Sequence, residues 1–168
     1  MESLLRVKIV RNVIVKTYPF TDYFKGFEKV EAVKQVFGEK TEEALRNLKV
    51  EFYNGRSYMS VSDVDGHIRI NASYLNNGDI TDLYLDTIHE LVHVKQFTQG
   101  KQLFSRNLIY IDKTLEIEAC RHTVDEARRL GMNDEQILEY LKTERMNEED
   151  LNKLARALNV RVEKPPNT

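Results

Sequence analysis

Apolar and polar residues alternate near the N-terminus, in the stretch LRVKIVRNVIVKTY at residues 5–18. A period of two predicts a β-strand, because successive side chains of a strand point to opposite faces. From about Tyr23 to Phe37 the apolar residues recur every three or four positions, which predicts a helix that ends at Gly38. We therefore expect residues 1–48 to form a strand followed by helices.

The clearest sheet signal lies at residues 49–75, KVEFYNGRSYMSVSDVDGHIRINASYL. The pairs Asn54-Gly55 and Asp65-Gly66 both suit two-residue hairpin turns, in which both residues take positive φ. Two tight turns in succession predict a three-stranded antiparallel sheet. The predicted strands lie near residues 49–53, 57–63 and 67–72.

Two long helices are predicted after the sheet. The first is capped by Thr81 or Asp79, contains the stretch TIHELVHVKQF and stops at Gly100. The second runs from about residue 112 to residue 130 and ends at Gly131. An irregular connection is expected between them, because residues 101–112 have no clean period.

The last third of the chain contains a near-repeat, MNDEQILEYL from Met132 and MNEEDLNKLA from Met146. In each copy Asn can cap a helix whose first turn carries acids, so we expect two short antiparallel helices. The order of helices, antiparallel sheet and further helices implies an α+β fold, with the helices on one face of the sheet.

The length of 168 residues suits one domain. We expect a single domain over 1–163 and a flexible tail at 164–168. Its predicted parts are an N-terminal strand with helices, a sheet with the metal-site helices, and a helical hairpin, at residues 1–48, 49–130 and 131–159.

Composition excludes several classes of partner. A net charge of −2 made of mixed-sign charges argues against binding nucleic acid and against a polybasic membrane anchor. The chain has one cysteine, Cys120, so no internal disulfide is expected. The sequence has no apolar run of the roughly 18 residues that span a bilayer and no signal-peptide pattern. We expect a soluble, cytoplasmic protein, whose oligomeric state the sequence leaves open.

Candidate chemistry centres on His89, Glu90 and His93, which include two of the four histidines. Residues four apart lie on one helix face, so the two imidazoles can aim at one zinc ion. Glu90 lies about 100° round the helix from His89, where it can serve as a general base without being a ligand. Apolar neighbours bury this helix, and burying polar groups is costly unless a metal or another partner satisfies them.

A hydrolytic zinc site needs three protein ligands and one open position. The third ligand must come from residues beyond the motif. The candidates are His122 and the acids Asp112, Glu116, Glu118, Asp125 and Glu126.

The segment LEIEACRHTVDEA, at 115–127, resembles the glutamate helix of gluzincins, zinc metallopeptidases whose third ligand is a Glu on a later helix. Two branches of that group carry the pattern E-x-E-A-D, whose first Glu binds zinc. Glu116 stands at that first position, and Cys120 stands where Asp is expected. The resemblance implies a small zincin-like domain, a Zn²⁺ cofactor and a peptide or protein substrate.

Helical phase favours the same glutamate independently. At about 100° per residue the apolar face of this helix centres near 290°, with Glu116 near 260° and Glu118 near 100°. A carboxylate on the buried face needs a strong partner such as zinc. Glu118 stays open as the alternative ligand, because it forms an E-x-x-x-H pair with His122. Cys120 is expected to be a core thiol and a weak orienting group.

The resemblance also implies a residue that stabilises the oxyanion and a strand that binds substrate. The candidate transition-state stabilisers are Tyr110, His122, Arg106 and Tyr74. HIRINASYL, at 67–75, precedes the metal helix and is a candidate for the substrate strand or an ordinary sheet edge. Gln96 is expected at a solvated position, with a place in the site as the alternative.

Three functions fit these patterns. The first is a zinc metallopeptidase in which His89, His93 and Glu116 bind the ion and Glu90 is the general base. The second is a catalytically silent or latent zinc-binding regulatory or interaction protein. The third is a metal-free helical interaction domain.

Overall fold

The computed structural model describes residue 4 and residues 6–11, 16–103, 111–142 and 147–162, with 111–113 as backbone only. The strands are β1 (Lys8–Ile9), β2 (Thr17–Pro19), β3 (Phe24–Lys25), β4 (Lys49–Tyr53), β5 (Met59–Val61) and β6 (Ile68–Asn71). The α-helices are α1 (Phe20–Tyr23), α2 (Glu31–Phe37), α3 (Thr41–Asn47), α4 (Ala72–Asn77), α5 (Ile80–Thr98), α6 (Ile111–Arg129), α7 (Asp134–Leu141) and α8 (Glu148–Ala157). The predicted α+β class is confirmed.

The main sheet differs from the prediction. It has four strands in the order β2-β4-β6-β5, and β4 pairs with β6 in parallel. The predicted three-stranded antiparallel sheet is wrong, because Asn54-Gly55 does not close a hairpin. Val50 and Phe52 on β4 and Ile68 and Ile70 on β6 are fully buried. Placing these two strands side by side makes one continuous apolar face, which local turn chemistry cannot indicate.

The hairpin that joins β5 to β6 is longer than predicted. Four residues lie between Ser62 and His67, whose backbone N–H and carbonyl groups are hydrogen-bonded at 2.8 Å. Gly66 has φ 76°, and a Cβ there would collide with the ring of Phe97 on α5. A glycine is therefore required both by the turn and by its close approach to the metal-site helix.

The predicted helix from Tyr23 to Phe37 forms only over α2. Its first half is strand β3 and a 3-10 turn at Phe27–Lys29, with Gly26 at φ 87° between them. A Cβ at Gly26 would collide with the carbonyl of Arg6. In this half Phe24 and Phe27 belong to an aromatic cluster with Phe20, whose ring stacks on that of Phe24 at 4.7 Å.

The central helix α5 begins where the sequence predicts. The side chain of Asp79 accepts hydrogen bonds from the N–H groups of Thr81 and Asp82, at 2.7 and 3.2 Å. Apolar residues on several faces of α5 are buried, which makes it the centre of the core. The predicted long helix that follows is also present as α6.

An ion pair between the exposed Arg129 and a buried carboxylate joins three helices. The carboxylate of Glu126 on α6 has no exposed surface. It accepts a hydrogen bond from the hydroxyl of Tyr84 on α5 at 2.6 Å and one from Arg129 at 2.8 Å. Arg129 also donates to Gln35 on α2. These contacts satisfy a charge that would otherwise be costly to bury, and they fix α5 against α6.

The tandem C-terminal helices are confirmed at their N-termini. Asn133 and Asn147 accept from the backbone N–H groups of Gln136 and Asp150, at 2.9 and 2.8 Å. Buried side chains of one cluster extend from residue 20 to residue 160. The predicted tail at 164–168 lies outside the described residues. Within the described ranges, no helix is long and apolar enough to cross a membrane.

Replacing Tyr84 by Phe removes the hydroxyl that donates to Glu126. A buried acceptor left short of a partner costs about 1–3 kcal/mol, so Tyr84→Phe should lower the free energy of unfolding by that amount in urea denaturation. Tyr58→Phe is the control, because Tyr58 is 59% exposed and should change stability by less than about 0.5 kcal/mol. Equal effects of the two substitutions would contradict the role given to the Tyr84 hydroxyl.

Candidate metal centre

His89 and His93 lie one turn apart on α5 and present their rings to the same point. Their Nε2 atoms are 3.1 Å apart, and the ring centroids 4.8 Å. The exposed fractions of the two side chains are 15% and 13%. The predicted helical spacing therefore brings two imidazole nitrogens together in a largely dry environment.

Glu116 reaches this point from α6. Its Oε1 lies 2.9 Å from Nε2 of His89, and its Oε2 lies 3.2 Å from Nε2 of His93. Two atoms bound to one tetrahedral zinc at about 2.0–2.1 Å are roughly 3.3 Å apart. Each of the three contacts is close to that value, and one ligand atom from each residue lies within 4.8 Å of the other two. Within the part of the chain that the structure describes, no other cluster of His, Cys, Asp and Glu has a comparable spacing.

The predicted burial of Glu116 is wrong. Helical phase predicts correctly that it faces α5, but 54% of its side chain is exposed. Its neighbours Leu115, Ala119 and Cys120 supply the buried surface of α6 at this level. Glu116 lines the cleft, where its carboxylate contacts the two imidazoles.

Glu118, the alternative ligand, has other partners. Its Oε2 accepts from Nε2 of Gln96 at 2.9 Å and from Nζ of Lys101 at 3.3 Å. Its carboxylate is not part of the cluster around the two histidines. In this arrangement Glu118 contacts Gln96 and Lys101 instead of the imidazoles.

Cys120 is buried, as predicted for a core thiol. It contributes to the raised pKa of the His89 ring. Its position four residues after Glu116 is the one at which the gluzincin pattern has Asp, a group that could orient the imidazole. The thiol is a weaker hydrogen-bonding group than a carboxylate.

Gln96 is the residue that sequence reasoning misplaced. It is 1% exposed, not solvated, and its Oε1 lies 2.8 Å from Nδ1 of His93. The signal was present in the spacing: Gln96 is three residues after His93 and seven after His89, so all three share one helix face.

Glu90 is 8% exposed and lines the same cleft. Burial raises the pKa of its carboxyl above the ordinary value, although the charges of His89 and His93 oppose this. A carboxylate with a raised pKa can accept a proton and release it again nearer to neutral pH. Its carboxylate is not part of the cluster formed by His89, His93 and Glu116.

The electrostatics couple the two histidines to Glu116. Burial works to lower the pKa of His89, but hydrogen bonds with Cys120 and Glu116 raise that pKa well above its ordinary value. Burial works to raise the pKa of Glu116, but hydrogen bonds from His89 and His93 hold it well below its usual range. A cation bound by these groups would displace protons from the imidazoles.

The three cluster residues and Glu90 line a cleft of about 280 Å³. Its remaining lining residues are Ser57, Met59, Ser60, Val61 and Leu103. Strand β5 thus forms one wall. The suggestion that HIRINASYL is the exposed strand is wrong, because β6 lies between β4 and β5. In the described sheet β5 is one of the two edge strands, and it pairs only with β6.

The structure does not bring the described stabiliser candidates into the cleft. His122 lies near Glu118 and is not a lining residue. The hydroxyl of Tyr74 donates to Asp86 at 2.5 Å. Tyr110 and Arg106 lie outside the described residues, so their candidate role stays a prediction.

Comparisons with protein-family models, with curated proteins and with solved structures found no match to the chain. The likeness to gluzincins therefore stays at the level of the two motifs. What supports a metal centre is the geometry of this chain's own side chains.

Substitutions of the two glutamates should separate their roles. Glu116→Ala should lower zinc affinity by more than the roughly 10- to 100-fold that loss of an outer-shell partner costs. Glu118→Ala should stay within that range, because Glu118 contacts Gln96 and not the imidazoles. Zinc affinity is measured by competition with a chromophoric chelator. Tighter zinc binding by Glu116→Ala than by Glu118→Ala would reverse the assignment.

Proposed function

We propose that this chain is a zinc-dependent metallopeptidase of gluzincin type. The observation that carries the proposal is the convergence of His89, His93 and Glu116, with donor atoms 2.9–3.2 Å apart. Two imidazoles and one carboxylate are the ligand set of many hydrolytic zinc sites, and three protein ligands leave a fourth position open. The zincin-like fold stays part of this proposal, supported by the edge strand beside α5 and by Glu116 on α6.

Zinc, when bound, would supply an acidified water and a Lewis acid that polarises a carbonyl group. Glu90 would act as the general base, taking a proton during attack on the scissile carbonyl. It would then pass the proton to the departing amine. The raised pKa of Glu90, caused by burial, favours both steps because the carboxyl must be able to hold the proton between them.

The proposed substrate is a peptide or protein segment in extended form. Strand β5 borders the cleft and pairs with β6 along one edge only, among the strands that the structure describes. A peptide added to its other edge would gain backbone hydrogen bonds and pass the candidate centre. Met59, which is partly exposed on this wall, favours apolar contacts over charged ones.

A second candidate is a zinc-binding regulatory protein that does not cleave peptides. The observation that favours it concerns the lining of the cleft. Apart from the cluster and Glu90, the polar lining residues in the described ranges are Ser57 and Ser60. A Tyr, His or Arg that could stabilise the oxyanion is not among the described lining residues, although such a group contributes much of the rate in acyl transfer.

Glu90→Gln should reduce hydrolysis of a quenched-peptide library by about 10²- to 10⁴-fold, because the amide cannot accept the proton. Zinc content should be unchanged, because Glu90 is not a ligand in the proposal. Glu39→Gln, at an exposed position on the 3-10 turn Gly38–Lys40, is the matched control and should cleave like the wild type.

The outcomes separate the two candidates. A variant as active as the wild type would exclude Glu90 as the base. A wild type that binds one zinc per chain and cleaves nothing in the library would favour the regulatory protein. A wild type that takes up no zinc would exclude both.

A further inference from the structure

Gln96 connects the candidate centre to the next helix. Its Oε1 lies 2.8 Å from Nδ1 of His93. Its Nε2 donates to the carbonyl oxygen of Leu115 at 3.0 Å and to Oε2 of Glu118 at 2.9 Å. Lys101 holds the same oxygen of Glu118 at 3.3 Å. The amide therefore has a partner on each of its two polar ends.

The partners determine which way the amide points. A carbonyl oxygen and a carboxylate can only accept hydrogen bonds, so the NH₂ end of Gln96 must face Leu115 and Glu118. Reversing the amide would place its oxygen against two acceptors. The oxygen is thus left for His93. This assignment follows from the identity of the contacts and does not depend on distinguishing N from O.

The orientation of the amide has a consequence for His93. An amide oxygen accepts, so Nδ1 of His93 must carry the hydrogen of this bond. In the neutral ring Nε2 then keeps its lone pair, and Nε2 is the atom that faces His89 and Glu116. The tautomer with a proton on Nδ1 is the one that can donate an electron pair to a metal through Nε2.

We propose that Gln96 is a positioning residue, which fixes His93 in the Nδ1–H tautomer and aims its Nε2 at the centre. The role of Gln96 in metal binding rests on the proposed metal site. The hydrogen bonds that orient the ring of His93 do not depend on that proposal. Glu118 and the Leu115 carbonyl hold the amide, so Glu118 acts on the centre through Gln96 and not as a ligand. Since Gln96 is 1% exposed, water does not compete for these bonds.

Two variants separate this role from a plain link between Gln96 and the Leu115 carbonyl. Gln96→Met keeps a similar volume but removes both the acceptor for His93 and the donor to Leu115. The exchange Gln96→Glu with Glu118→Gln keeps the net charge and an acceptor for Nδ1–H of His93. It too loses the donor to Leu115. Both variants thus break the cross-link to the Leu115 carbonyl, but only Gln96→Met removes the acceptor.

Zinc affinity of the full chain, measured by chelator competition, is the first readout. Gln96→Met should bind zinc about 10- to 100-fold more weakly than the wild type, the usual cost of removing an outer-shell partner. The exchanged pair should bind much more tightly than Gln96→Met. A role confined to the link with the Leu115 carbonyl predicts that the two variants weaken zinc binding equally, and that result would overturn the inference. Unchanged affinity in Gln96→Met would overturn it as well.

The second readout needs neither zinc nor activity. Long-range ¹H–¹⁵N spectra of metal-free chains that carry Glu116→Ala report the tautomer of His93, at a pH where its ring is neutral and without the carboxylate that otherwise accepts from its Nε2. In this background the chain with Gln96 and the exchanged pair should show the Nδ1–H tautomer, and Gln96→Met should show a mixture. An Nε2–H tautomer with Gln96 in place would overturn the inference. An Nδ1–H tautomer, together with no zinc uptake by the chain that keeps Glu116, would support the role of Gln96 and contradict the proposed function.

Discussion

The pairing of α5 with α6 is the constraint on which the candidate centre depends. The two helices run antiparallel, and each end of their contact is fixed by hydrogen bonds to a carboxylate. At one end Tyr84 donates to the fully buried Glu126. At the other end Gln96 donates to Glu118 and to the Leu115 carbonyl. The two imidazoles lie between these contacts on α5, and Glu116 lies between Leu115 and Glu118 on α6. Sliding one helix by a turn, about 5.4 Å, would separate the donor atoms.

The surroundings of the four central side chains differ in a way that suits different roles. His89 and His93 are mostly buried, whereas Glu116 is 54% exposed and faces the cleft. Glu90 is buried beside them, and burial raises the pKa of its carboxyl. The pKa values of these two neighbouring carboxyls are thus shifted in opposite directions, because Glu116 is paired with imidazoles and Glu90 is desolvated. That contrast favours a ligand role for the first and proton transfer for the second.

Local patterns in the sequence predicted the helices of the site well and the sheet poorly. The Asp79 cap and the four-residue spacing of the histidines are signals within one helix. Phase also placed Glu116 on the face towards α5, but it could not show that this face opens into a cleft there. Strand pairing depends on residues far apart in the chain, so Asn54-Gly55 suggested a hairpin that the parallel pairing of β4 with β6 replaces. Gln96 was missed because its partners lie on another helix.

The central claim is that two imidazoles and one carboxylate of this chain bind one zinc ion. X-ray absorption at the zinc edge of the reconstituted full-length protein tests it most directly. The account predicts one zinc per chain, with imidazole scattering from two histidines and only nitrogen or oxygen neighbours at about 2.0–2.2 Å. Failure to take up zinc would contradict the account. A sulfur neighbour at about 2.3 Å would also contradict it, because Cys120 would then be a ligand.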